Sequence, residues 1–249
     1  MIDAIKIRIL QGKPAIRDVE NASLPEKFRG LPSIDDRECR RGCTRCARIC
    51  PTGAISLNPL RIDLGRCVFC PLCEEACSRE IFHFTNNCHL AADKKENLIV
   101  TKETKSISPG KASKMIQSYF GKSLKLRQIS AGGCNGCELE LNALSNVNFD
   151  MGRYGIEFVA SPRHADGVVI TGPLTNNMAA ATDICHEAVP NPRIVILCGT
   201  CAISGGIFQN SKETQRRFIG ENKIDLFIPG CPPHPLTFIN GILGWLDRF

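Results

Sequence analysis

Twelve of the fifteen cysteines in this 249-residue chain fall into three groups of four. Cys39, Cys43, Cys46 and Cys50 form the first group, and Cys67, Cys70, Cys73 and Cys77 the second. The third is dispersed: Cys134 and Cys137 flank Asn135-Gly136, Cys201 follows Gly199-Thr200, and Cys231 stands between Gly230 and Pro232. Sets of four thiolates bind either a tetrahedral zinc ion or an iron–sulfur cluster. Two runs that each end in spacings of two and then three residues, the first followed by Pro51, favour iron–sulfur over zinc. The pattern predicts two redox centres in one compact region and a third assembled from distant segments. Such a series carries electrons.

The remaining composition narrows the setting. At 43% hydrophobic residues the chain can bury a sizeable core of one or two domains. No run reaches the roughly 18 apolar residues of a membrane span, and the first ten residues carry charges through their apolar stretch without a signal-peptide pattern. A soluble, cytoplasmic chain is therefore expected, where thiols stay reduced and cysteines serve metals rather than disulfides. Residues 1–115 hold 20 Lys and Arg against 14 Asp and Glu, and the rest hold 11 against 11. The basic excess fits either compensation of cluster charge or a face for an acidic partner. One Trp, two Tyr and no interleaving of basic and aromatic residues argue against nucleic acid.

The elements that must position these cysteines differ between the halves. Residues 1–100 predict a small α+β module with two cysteine repeats, each last cysteine opening a turn and then an apolar strand. Its first 32 residues, with Pro14, Pro25 and Pro32, predict an extended arm. Residues 101–122 predict a linker ending in a short helix. From residue 123 to 249 short apolar strands at 124–129, 156–160, 167–171, 193–198 and 224–228 alternate with helices at 138–147, 176–189 and 235–247. That alternation predicts a parallel α/β sheet. Cys134, Cys137, Cys201 and Cys231 all follow the carboxyl ends of strands, where open α/β sheets bind ligands, and glycines accompany each one.

Several motifs carry a family resemblance. Residues 131–140 (AGGCNGCELE), 161–166 (SPRHAD), 199–206 (GTCAISGG) and 229–233 (PGCPP) together resemble the small subunit of group 4 energy-converting, membrane-bound [NiFe]-hydrogenases of the formate hydrogenlyase and Ech type, and more distantly a complex I subunit. The N-terminal part resembles the two-cluster ferredoxin subunit of the same complexes, including the Gly12–Arg17 arm, here fused into one chain. The resemblance implies a flavodoxin-like parallel-sheet domain preceded by a 2x[4Fe-4S] ferredoxin-like domain. It implies three [4Fe-4S] clusters: one on Cys39, Cys43, Cys46 and Cys77, one on Cys67, Cys70, Cys73 and Cys50, and a proximal one on Cys134, Cys137, Cys201 and Cys231. In two-cluster ferredoxins the fourth cysteine of each run serves the other cluster. The nickel–iron centre is expected on a partner large subunit, with membrane-embedded subunits beside it. The electron donor or acceptor would be a ferredoxin, a formate dehydrogenase or a carbon monoxide dehydrogenase. The chain is then peripheral on the cytoplasmic membrane of an anaerobic organism. Complex I subunits carry two adjacent cysteines at the first motif, whereas this chain has Cys134-Asn-Gly-Cys137, which favours the hydrogenase side. A quinone-reducing or nickel-free relative and a free polyferredoxin-like carrier stand as alternatives.

Three residues separate Cys39 from Cys43 where two are usual, which makes Cys39 the least regular ligand. Cys198, in step with Ile194 and Ile196, reads as core, and Cys88 and Cys185 read as structural. Glu138 directly follows Cys137. It is either a carboxylate favoured by a helix start or a proton relay beside the proximal cluster. Glu140 reads as the former.

Overall fold

A computed structural model describes every residue except Met1, Lys13, Asp36, Glu38, Arg40 and Arg41. Lys13 of the arm, and Asp36 and Glu38 ahead of Cys39, therefore lie outside the described residues. The chain opens with helix α1 (Ile2–Gln11), then β1 (Pro32–Ile34), α2 (Arg45–Ile49), β2 (Ile55–Leu57), β3 (Leu60–Asp63), α3 (Leu72–Ala76), β4 (Phe82–Phe84) and β5 (Ile99–Val100). The second half holds α4 (Lys114–Phe120), β6 (Leu124–Ser130), α5 (Gly136–Ala143), β7 (Ile156–Phe158), β8 (Gly167–Thr171), α6 (Asn176–Glu187), β9 (Ile194–Cys198), α7 (Thr200–Ser204), α8 (Arg217–Glu221), β10 (Leu226–Ile228) and α9 (Pro235–Trp245).

In the second half five parallel strands lie in the order β10-β9-β8-β6-β7. Read from the β7 edge and counted along the chain that is 2-1-3-4-5, the flavodoxin-like winding. Strands β8 and β9 are buried at every position, as expected for a sheet covered on both faces. Alternation splits their side chains: Val169, Ile194, Ile196 and Cys198 join one core with α4 and α9, while Val168, Ile170, Val195 and Leu197 join the other.

The first half pairs β1 with β4 and forms an antiparallel sheet β2-β3-β5. One expectation needs correction. The arm is not extended throughout, because residues 2–11 form α1, which leaves Ile5, Ile9 and Leu10 exposed. Only the stretch after it is an arm, and it straps both halves. Ile16 N–H donates to Asn148 O at 2.9 Å, Asn240 Nδ2 to Val19 O at 2.8 Å, and Gly30 N–H to Thr85 O at 2.6 Å. Ile55, Ile62, Leu64 and Phe82 belong to the same core as Ala202 and Ile203 of α7, so the hydrophobic interior runs across the junction. Ala92 closes the edge of β10 by exchanging two backbone bonds with Phe227, at 3.0 and 2.8 Å.

Candidate electron-transfer site

Helices α2 and α3 each serve two cysteine sets. Cys46 on α2 faces the cavity shared by Cys39, Cys43 and Cys77, and Cys77 is the residue that ends α3. Cys50 ends α2 and meets Cys67, Cys70 and Cys73 instead, the last of these on α3. A short helix followed by an extended residue throws its final thiol away from the preceding ones, and this exchanges the fourth cysteines between the runs. Leu60, Ile81 and Phe82 stand in the walls of the first cavity. Cys39, the irregular member, is the exposed thiol of that set.

The second set is the better enclosed. Burial first, and then neighbouring cysteines, Cys50 and Cys70 among them, push the Cys67 and Cys73 thiols up to about 12. Backbone N–H groups of Ala54 and Phe69 point at the sulfurs of Cys50 and Cys67, at 3.2 and 3.3 Å. Such donors stabilise thiolates that carry an iron–sulfur group and tune its potential.

The third set forms at the carboxyl edge of the parallel sheet. Asn135 at φ +68° turns the chain between Cys134 and the first turn of α5, which carries Cys137. Cys201 sits in the first turn of α7, and Cys231 follows β10. Glycine is demanded at two places. A Cβ on Gly199, at φ +93°, would lie 2.5 Å from Cys137 Sγ, and one on Gly206 would lie 3.0 Å from Cys201 Sγ. Burial first, and then Glu138, Cys201, Cys231 and Cys134, push Cys137 up to about 12. Burial likewise takes Cys201 up to about 11, followed by Cys231 and Cys134, against the opposing charge of Arg216.

In all three sets the thiols oppose one another's ionisation, so only a bound cationic group stabilises four thiolates together. All-thiol donor sets, N–H···S bonds and cavity walls of apolar residues fit iron–sulfur clusters.

The second and third sets approach each other. Cys231 is raised by burial first, then by Cys134 and by Cys70 of the other half. Cys70 and Cys231 line one cleft with Phe28, Phe69 and His234. Bonds cross the junction nearby: Arg66 Nη2 donates to Gln209 Oε1 at 2.7 Å, and Gln209 Nε2 to Thr52 O at 3.2 Å.

Glu138 is buried in the first turn of α5, and its Oε1 accepts from Ser130 Oγ at 2.7 Å and Thr171 Oγ1 at 2.6 Å. Those hydroxyls end β6 and β8, the strands between which the winding reverses direction. Glu140 lies apart, its carboxyl raised by partial burial. Cys198 is buried within β9, and Cys88 is buried against Asn240. Arg216 has no precedent in the motifs. Its guanidinium donates to the carbonyls of Cys201 and Ile203, at 3.3 and 2.5 Å, placing a partly buried cation beside the third set. Only the fold brings this residue, 15 positions downstream of Cys201, back to the cradle.

The stretch 134–245, which contains the whole third set, matches the family model "NADH ubiquinone oxidoreductase, 20 Kd subunit". The chain is 35% identical over 130 residues to a probable membrane-bound hydrogenase subunit, mbhJ, of Pyrococcus furiosus, covering 52% of this chain and 78% of that protein. It is 38% identical over 149 residues to formate hydrogenlyase subunit 7 of Escherichia coli, covering 57% of this chain and 56% of that one. It is also 38% identical over 108 residues to an NADH-quinone oxidoreductase subunit of Bacteroides thetaiotaomicron, covering 43% and 55% respectively. The chain belongs to the family of the NADH ubiquinone oxidoreductase 20 kDa subunit, in which the small subunits of group 4 membrane-bound hydrogenases also stand.

Proposed function

We propose that the chain is the iron–sulfur electron-transfer subunit of a membrane-bound oxidoreductase complex of the group 4 [NiFe]-hydrogenase kind. Three [4Fe-4S] clusters, when bound, would pass single electrons between a low-potential donor and a nickel–iron site on the large subunit, where protons and hydrogen interconvert. The observation that carries the reading is the series of three four-thiol cradles in one chain, with Cys70 and Cys231 meeting where the halves join. Cys39, Cys43, Cys46 and Cys77 hold the outermost position, Cys50, Cys67, Cys70 and Cys73 the middle one, and Cys134, Cys137, Cys201 and Cys231 the proximal one. Cys134 and Cys231 are exposed, at a surface that a large subunit would cover. Glu138, held by Ser130 and Thr171, would carry protons next to that surface.

The outer end of the series would take electrons from a ferredoxin, a formate dehydrogenase or a carbon monoxide dehydrogenase. No helix among the described residues is long and apolar enough to cross a membrane, and attachment would come through membrane-embedded partner subunits on the cytoplasmic side. A quinone-reducing role is the competing reading. The separation of Cys134 from Cys137 by two residues favours the hydrogenase. Anaerobic purification through a tag on this chain should bring down a nickel-containing subunit together with hydrogen turnover. A quinone-reducing complex without nickel would overturn the assignment.

A further inference from the structure

Thr200 stands between the ligands of two cradles. It opens α7, one residue before Cys201, and is buried at 1% exposure. Its backbone N–H donates to Gly230 O at 2.9 Å. Its hydroxyl lies 3.1 Å from that same oxygen but 2.7 Å from Cys67 O in the other half. One hydroxyl has one hydrogen to donate. Gly230 O is already served by the amide, so the hydrogen goes to the nearer acceptor, the carbonyl of Cys67. That carbonyl belongs to a middle-cradle cysteine, while Thr200 precedes one proximal cysteine and its second contact, Gly230, precedes another. A single buried residue thus ties the middle cradle, through its hydroxyl, to the Cys201 loop of the proximal one, and through its own amide to the loop of Cys231.

We propose that Thr200 is a positioning residue that sets the gap between the middle and proximal cradles, and with it the rate of electron passage between them. The inference rests on the electron-transfer reading of those cradles. In each transfer one electron leaves the middle cluster, which is oxidised, and arrives at the proximal cluster, which is reduced. Thr200 keeps its proton throughout. Without the hydroxyl, Cys67 O loses its cross-junction donor, and the loop bearing Cys201 keeps only the packing of Ala202 and Ile203 against the first half.

The test compares Thr200→Val, which keeps shape but removes the donor, with Thr200→Ser, which keeps the donor but removes the methyl group. In the intact chain, amide hydrogen exchange at residues 66–68 and 199–203 should accelerate about tenfold or more in Thr200→Val and stay near wild type in Thr200→Ser. In the reduced chain, the magnetic splitting between the middle and proximal clusters should weaken in the first variant only, at unchanged iron content. Exchange and splitting both at wild-type values in Thr200→Val would overturn the proposal. So would a Thr200→Ser chain that departs from wild type, and this arm decides if the valine variant fails to fold. Absence of clusters in the wild-type chain would instead overturn the electron-transfer reading, and the exchange comparison would still report on the tie.

Discussion

Gly199 is where the proximal cradle tolerates a side chain least. It joins β9 to α7 at φ +93°, a conformation that costs an L-residue about 1–3 kcal/mol. A methyl group there would lie 2.5 Å from Cys137 Sγ and 3.7 Å from Gly230 O. Forcing that contact in a packed site adds about 1–3 kcal/mol, so Gly199→Ala should cost roughly 2–6 kcal/mol in all. Against a total stability of about 5–15 kcal/mol, the fold survives over much of that range. The atom that can yield is the thiol at the end of the Cys137 side chain. Gly199→Ala should therefore fold, lose the proximal cluster and keep the other two, holding about eight iron per chain instead of about twelve. Gly220→Ala is the control: nothing lies within 4 Å of its Cβ, it sits in α8, and the change should gain about 0.5–1 kcal/mol. Iron and sulfide per chain, with urea midpoints for both variants, decide the matter. A Gly199→Ala chain with full iron and a wild-type midpoint would refute this account of the cradle.

Cys201→Ala should stop hydrogen turnover while the clusters of the first half stay reducible, whereas Cys198→Ala, inside β9, should cost about 1 kcal/mol of stability and keep full cluster content. Tolerance of the first change and loss of the cluster in the second would reverse the ligand assignment. Glu138→Gln should retain all iron and dye-coupled electron transfer yet slow hydrogen evolution about 100-fold; near-wild-type turnover would leave Glu138 a purely structural acceptor for Ser130 and Thr171. Burial lowers the His234 and His186 rings below their ordinary range, the latter helped by Arg193. The unfolded chain then binds more protons below about pH 6.5, and stability falls as pH drops through that value. Because His234 Nδ1 caps α9 by accepting from Leu236 N–H, His234→Asn should keep a cap and flatten the urea-midpoint profile between about pH 7 and pH 5.5. An unchanged slope would remove His234 from that balance.

The parallel sheet was legible because its strands are short, apolar and separated by helices, and the Gly167–Thr171 strand has the expected bounds. The meeting of Cys134, Cys137, Cys201 and Cys231 followed from their places after strand ends. What escaped the sequence is non-local or too short to be periodic. Helices α7 and α8, five residues each, give no repeat to read. Helix α1 was hidden by the prolines that follow it, although Ile5 and Ile9 are one helical turn apart. The core shared across the junction and the roles of Thr200 and Arg216 depend on packing between distant segments. Hydroxyl and guanidinium positions of that kind leave no spacing signature.

The central claim is that one chain holds three iron–sulfur clusters in series. Iron, acid-labile sulfide and zinc measured on the anaerobically purified, intact chain test it most directly. The account expects about twelve iron and about twelve sulfide per chain, with three reducible centres by electron paramagnetic resonance. Stoichiometric zinc without sulfide would contradict it.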